Sequence, residues 1–196
     1  MWIKLTKSNK TKLFFTSDHH FGHEAIIRFC NRPFESHAEM DAELIRRWNE
    51  VVDFDDVVFH LGDFTLRNKK DARHYFSRLR GNIKVLGNLW HHDKGWLPRK
   101  PGPSDLQSRS GTPIEILPPI IVVDIKGLVE DNKKQRIVLC HYPLAEWDAM
   151  HYGAYHLYGH THGNHVNLGL SFDIGVDCTN FYPMEFSDVV EKFNCF

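Results

Sequence analysis

Apolar runs of strand length recur along the chain and end in the same kind of punctuation. Leu13-Phe14-Phe15-Thr16-Ser17 runs into Asp18-His19-His20, Val57-Val58-Phe59-His60-Leu61 into Gly62-Asp63, and Ile83-Lys84-Val85-Leu86 into Gly87-Asn88. Later, Ile137-Val138-Leu139-Cys140 runs into His141, and Tyr155-His156-Leu157-Tyr158 into Gly159-His160-Thr161-His162. Short continuous apolar stretches with such boundaries predict buried strands. Each releases an Asp, Asn or His at its carboxyl end, where open α/β sheets place their ligands. Five strands converging on one rim would gather those side chains in one place.

Helical patterns lie between the runs, so the fold class expected is α/β. Ser36-His37-Ala38-Glu39 has the form of a capping box. It opens a helix that places Met40, Leu44, Ile45, Trp48, Val51 and Val52 on one face. A second helix is expected over 69–79 and a short closing helix over 186–193. Residues 120–125 and 136–141 flank a polar turn and predict a hairpin, and 166–170 and 172–176 read as two short strands. The segment 93–113 holds four of the nine prolines, Pro98, Pro101, Pro103 and Pro113. It is expected as a loop insertion, either a wall of the active site or a solvated excursion. Within it, Ser104-Asp105-Leu106-Gln107 has the form of a capped helical turn.

Composition narrows the class. The 196 residues fit a single domain, and 42% hydrophobic content supplies a real core. Lys and Arg total 24 against 25 acids, a formal charge of -1. Bulk attraction to nucleic acid or to an anionic membrane is therefore not expected. No apolar run approaches the roughly 18 residues of a membrane span, and the first residues lack the apolar segment of a secretory signal. The four cysteines form no CxxC pair, which predicts reduced thiols in a cytoplasmic protein. Histidine stands out at 14 residues, and histidine is both a common metal ligand and a frequent general acid.

Asp18 and His20 form D-x-H, and His160 and His162 form H-x-H, so each pair can face one ion from a strand-to-loop transition. Asp63, Asn88 and His141 bring the total to seven nitrogen and oxygen ligands. That is too many for a closed zinc site and too poor in sulfur for a structural one. Seven such groups can serve two ions if one carboxylate bridges them, and two-metal sites clamp the attacking and leaving oxygens of a displacement at phosphorus. Each piece alone is a weak signal; their shared position after apolar runs is the strong one. His165 extends the late motif to H-x-H-x-x-H, the spacing of metallo-β-lactamase-like hydrolases, but Asn164 stands where those carry an aspartate.

In order, Asp18-x-His20, Gly62-Asp63, Gly87-Asn88, His141 and Gly159-His160-x-His162 resemble the calcineurin-like metallophosphoesterases. The similarity runs over about residues 13–163, and 172–193 is similar to the closing strand and helix of small bacterial and phage members. The stretches Asp18-His19-His20-Phe21-Gly22-His23 and Cys30-Asn31-Arg32-Pro33-Phe34 are similar to a compact subgroup. The resemblance implies a four-layer α/β/β/α sandwich with a dinuclear centre at the strand ends. One metal would take Asp18, His20 and His162, and the second Asn88, His141 and His160, with Asp63 bridging. Two divalent ions drawn from Mn, Fe, Zn or Ni are implied, manganese first. The implied activity is hydrolysis of a phosphodiester or phosphomonoester by water that the two ions activate to hydroxide.

The chain departs from the family at Gly-Asn-His-Asp, whose histidine donates a proton to the leaving group. Here it reads Gly87-Asn88-Leu89-Trp90-His91-His92-Asp93. Either a bulge restores the pair, with His92 or His91 as the acid oriented by Asp93, or Leu89 has replaced the histidine. His23 and Arg32 are expected to contact substrate phosphate, Arg32 through a bidentate fork, with pairing to a carboxylate as its alternative. His19 flanks the ligand pair, and His60 is expected behind the site or in the core. Trp90, Trp96, Tyr142, Trp147 and Tyr152 could stack a nucleobase or pack loops over the sheet, so a nucleotide substrate is permitted. Two other classes stay open. One is a catalytically impaired metal-binding scaffold of the same fold, and the other is a nucleic-acid-binding module.

Overall fold

Successive side chains of a strand point to opposite faces of its sheet. A run that is apolar at every position must therefore be covered on both sides, and that requirement organises this chain. In the computed structural model, residues 1–6, 10–66, 68–87, 92–127 and 134–194 are described. The elements are β1 (Trp2–Thr6), β2 (Leu13–Thr16), α1 (Glu24–Phe29), α2 (His37–Val51), β3 (Val57–His60), α3 (Lys69–Phe76), β4 (Asn82–Leu86), β5 (Gly102–Gln107), β6 (Pro113–Leu117), β7 (Ile120–Lys126), β8 (Lys134–Cys140), β9 (Tyr155–Tyr158), β10 (Ser171–Asp173), β11 (Met184–Glu185) and α4 (Phe186–Asn194).

They build a mixed α/β fold with two mixed sheets in a single domain. The six-stranded sheet has the order β11-β2-β3-β4-β6-β5 and the five-stranded sheet the order β1-β7-β8-β9-β10. Strands β2, β3, β4 and β6 run parallel, with Phe14 opposite Val58, Val58 opposite Ile83 and Val85 opposite Ile116. In the other sheet β8, β9 and β10 run parallel, and β7 and β8 form the expected antiparallel pair, with Val122 opposite Val138.

Alternation sorts the core into layers. Phe14, Val58, Val85 and Ile116 pack with Met40, Leu44, Trp48, Ala72 and Phe76 of the helices. Their neighbours Phe15, Phe59, Leu86 and Leu117 face the other way, onto Ile121, Val123, Ile137, Leu139 and Leu157 of the second sheet. Helix α4 joins this inter-sheet core with Phe186, Val189 and Phe193. Val122 and Val138, on the outer face of the second sheet, are covered by Leu144, Trp147 and Ala154.

Helix α2 starts at the expected cap, where Ser36 accepts the Glu39 N–H. The returning Glu39 carboxylate takes the N–H of Glu35, one residue earlier than a strict capping box. Helix α3 ends at Phe76, short of 79, because the N–H groups of Arg78 and Leu79 turn back to Tyr75 and Phe76 in a tighter coil.

Four expectations are corrected. Segment 93–113 is not a loop insertion. It contains the edge strand β5, paired antiparallel to β6, and Leu106 is fully buried in the helix-facing core. Ser104-Asp105-Leu106-Gln107 is consequently strand and not a helical turn. Pro103 is tolerated there because an edge strand has one N–H row that needs no ladder partner. The residues 166–170 form no strand: Val166 is 80% exposed, and the Leu168 N–H goes to the Ser171 hydroxyl. The 172–176 strand stops at Asp173, and Val176 opens a 3-10 turn, Val176–Cys178.

Candidate metal centre

Parallel strands bring their carboxyl ends to one side, and the two sheets share that side. A bridge between Ser17 and Gly175 joins the end of β2 to the segment after β10. The turns that follow bend sharply. Asp18, His20, Asp63, His160 and His162 all have positive φ, between 49° and 70°, and they make up five of the nine such non-glycine residues among those described. Left-handed backbone costs an L-residue on the order of 1 kcal/mol, less for Asp and Asn, and persists where surroundings enforce it. Here that backbone turns side chains two apart toward one point.

The turns are held from behind. The Asp18 N–H donates to Gly62 O and the His20 N–H to Asp63 O, each at 3.0 Å. Asp41 accepts the Gly22 N–H with both oxygens and the Tyr75 hydroxyl at 2.8 Å. Asp173 accepts the Thr161 hydroxyl at 2.5 Å and the Gly163 N–H at 3.0 Å. His19, between the two ligand candidates, points into the core. The Gly62 N–H donates to His60 Nδ1, so His60 carries its proton on Nε2 and gives it to His19 Nδ1 at 3.0 Å. Burial keeps both imidazoles neutral, with the His60 value lowered to about 3.

Two clusters result. Asp18, His20 and His162 present ligand atoms within 4.8 Å of one another, and so do Asp63, His141 and His160. Asp63, a member of the second, also reaches the first. Its Oδ2 is 3.7 Å from His20 Nε2, 3.5 Å from His141 Nε2 and 3.8 Å from His92 Nε2. Asp18 Oδ1 and both ring nitrogens of His20 are buried without a hydrogen-bond partner among the described residues. Leaving a buried polar atom unsatisfied costs about 1–3 kcal/mol, so several together need a reason.

Burial and neighbouring charges shift the groups of the pocket in different directions. Burial, with the Asp63 charge nearby, pushes the Asp18 carboxyl up to about 6 against the pull of His141. Burial opposes charge on Asp63 too, but His141, His20 and His92 hold its carboxyl well below the usual range. Burial lowers His20 well below its ordinary value. At His162 burial acts downward, yet Asp177, Cys30 and Asp18 raise the value to about 10.

Of the residues singled out in the sequence, Asp18, His20, Asp63, His141, His160 and His162 therefore meet, and His92 joins them. Its ring lies 4.9 Å from that of His20 and 5.8 Å from that of His23. Asn88, His91 and Trp90 lie outside the described residues. Asp93 does not orient His92. Its carboxylate accepts the N–H groups of Phe64 and Thr65 and the Trp96 indole N–H, fastening the turn after Asp63. Beyond Asp93, the 93–113 segment packs on α3, where Asp105 pairs with Lys69 and Arg73. Arg32 is not turned toward a substrate; its fork is closed on Asp177 at 2.8 Å from both nitrogens. Trp96 and Trp147 are buried, Tyr152 is 91% exposed, and the Tyr142 ring packs 4.8 Å from that of His160.

Asp177, Asp173 and Asp41 were not singled out in the sequence. Ile174-Gly175-Val176-Asp177 carries a looser form of the punctuation that marks Asp63, with Val176 between the glycine and the aspartate, and is the nearest local signal for Asp177. Asp41, on a helix face, has no such local signal.

No protein-family model matches the chain. It is 30% identical over 190 residues to uncharacterized protein MJ1445 of Methanocaldococcus jannaschii, covering 92% of this chain and 90% of that protein. Gene 66 protein of Mycobacterium phage L5 is 33% identical over 88 residues, 45% of this chain and 33% of that one. Among solved structures, the protein of unknown function AQ665 from Aquifex aeolicus matches with a TM-score of 0.60 and 19% identity, over 93% of this chain and 99% of that one. That likeness bears on the fold alone.

Proposed function

The chain belongs to the family of uncharacterized protein MJ1445 of Methanocaldococcus jannaschii, and we propose that it is a dinuclear metal-dependent phosphoesterase of the calcineurin-like type. The observation that carries this reading is that Asp63 Oδ2, a member of one three-residue ligand cluster, lies 3.5 Å from His141 Nε2 of that cluster and 3.7 Å from His20 Nε2 of the other. The facing sheets, with α1–α3 outside one of them, are consistent with the sandwich that the resemblance implies.

The residues fit two divalent cations. Asp18, His20 and His162 would hold one and His141 and His160 the other, with Asp63 shared and Asn88 adding an oxygen. The set is nitrogen and oxygen only, which suits Mn, Fe, Zn or Ni. Two further groupings share these residues: His20, Asp63 and His92 overlaps both sites, and Cys30, His162 and Asp177 is a poor cation site because the Arg32 guanidinium already covers Asp177.

Two such ions would lower the pKa of a shared water and polarise phosphoryl oxygens. The chain's own groups supply the rest. His92, with its side chain one third exposed, stands at the mouth of the centre and can hold the proton for the departing oxygen. His23, beside His20 and His92, lines the same side and can donate to a phosphate oxygen. The Tyr142 ring packs beside His160 at the edge of the same centre.

The test is elemental analysis of the purified protein, followed by a manganese-supplemented screen of phosphate mono- and diesters. About two cations per chain with hydrolysis is the expected result. Cation uptake without hydrolysis of any ester would leave a binding scaffold, and no uptake would reject the centre itself.

A further inference from the structure

Arg32 is saturated. Its side chain is fully shielded from solvent, and its N–H groups have five acceptors. Nε donates to Asp177 Oδ1, and Nη2 to Asp177 Oδ2, both at 2.8 Å. Nη2 also donates to Asp18 O at 2.7 Å. Nη1 donates to His19 O at 3.0 Å and contacts Met40 Sδ at 3.4 Å. On the other side of the pair, Asp177 Oδ2 lies 2.7 Å from His162 Nδ1. A carboxylate can only accept, so Nδ1 carries the hydrogen and Nε2 is left as the ligand atom.

All three donors of one cluster therefore lead back to a single ion pair. Asp18 and His20 are on the backbone that Arg32 grips by its carbonyls, and His162 is turned by Asp177. The second cluster has one support of its own, the Asp93 clamp, and shares two with the first through Asp18 and His20, whereas no ligand of the second is turned by Asp177. The Asp63 carbonyl takes the His20 N–H, the Asp93 clamp holds the turn that follows, and the His160 N–H is held by Asp18 Oδ2. The turn that carries Asp177 is pinned in addition by Arg47, which donates to Asn180 O and lies over the Phe181 and Tyr182 rings.

We infer that Arg32 and Asp177 are a positioning pair dedicated to one of the two cation sites, the one formed by Asp18, His20 and His162. The inference rests on the two-cation reading proposed above. The pair fixes the ring orientation of His162 and the course of the Asp18–His20 backbone together, and the fork geometry is essential. A lysine at 32 keeps the charge but cannot reach both Asp177 oxygens and two carbonyls at once.

The experiment measures Mn(II) binding to the full chain by calorimetry and by the electron paramagnetic resonance of coupled manganese. Wild type, Asp177→Asn and Arg32→Lys are compared, and the fold of each is checked by circular dichroism in chelator. In both variants one site is expected to weaken about 10–100-fold while the other stays within about threefold of wild type, and the coupled signal gives way to that of isolated ions. Arg32→Lys supplies the decision should Asp177→Asn not fold. Two sites of wild-type affinity in either folded variant, or equal weakening of both sites, overturns the pair's selective role and leaves the centre standing. A wild-type chain that takes up no manganese overturns both readings.

Discussion

Gly159 lies directly against the Asp18 carboxylate, so close that a Cβ at residue 159 would overlap Asp18 Oδ2 and the Ser17 side chain. The glycine is there for space, since its φ is not positive. Asp18 and Ser17 are both buried and tied to neighbouring loops, so neither can swing away. Gly159→Ala is expected to cost about 1–3 kcal/mol, the range for forced overpacking, and to weaken cation binding in the same variant. Urea unfolding with and without manganese checks it; a stable variant with unchanged binding would mean that the strand ends can spread.

Asp63 contributes one oxygen to three imidazoles from different loops. Asp63→Asn keeps the size and removes the shared charge, so metal content is expected to fall from about two toward one, and turnover by 100-fold or more. Elemental analysis of the variant is the direct check. Two retained ions with full activity would exclude a bridging role.

His92 is the described imidazole at the mouth of the centre, and a general acid contributes about 10²–10⁴ to rate where the leaving group is poor. His92→Ala should slow alkyl phosphate esters by that range while p-nitrophenyl esters lose less than about tenfold, because a good leaving group departs without a proton. Equal losses on both ester types would assign the proton to another group.

Asp124 gathers the Trp2 indole N–H, Lys134 and Arg136 at 2.9–3.0 Å and so fastens the edge strand β1. Burial opposes its charge, but these donors prevail and bring the carboxyl down to about 2 from the ordinary 3.8. A carboxyl lowered on folding stabilises above its unfolded value, and the contribution is lost as pH falls through the folded one. The stability gap between wild type and Asp124→Asn should thus be constant above about pH 5 and shrink between about pH 4 and 2. Denaturation midpoints across that range, measured in chelator, test the expectation, and a gap that persists at pH 2 refutes it.

Much of this centre is legible in the chain because its cues are local. Val57 to Leu61 is apolar at every position but His60, so it must be covered on both faces, and Gly62 and Asp63 mark where it turns. The same reasoning finds Asp18, His20, His141, His160 and His162. It fails for Pro103, whose ring argues against strand until the edge position of β5 is known. It fails for Val166 and Leu168, whose alternation imitates a strand that has no partner. For Arg32 it leaves two chemistries open, phosphate or carboxylate, because a guanidinium fork suits both.

The amino-acid order alone determined which side chains stand at the ends of apolar runs and what chemistry they can offer, since burial period and glycine placement act within a few residues. Only the tertiary structure decided that the ends of two separate sheets share one rim. It also decided that Arg32 closes on Asp177, 145 positions away, and that Asp93 serves the Phe64 turn and not His92. Those pairings are set by packing across the whole chain, where the energy of a contact depends on which surfaces meet and local periodicity carries no record of them.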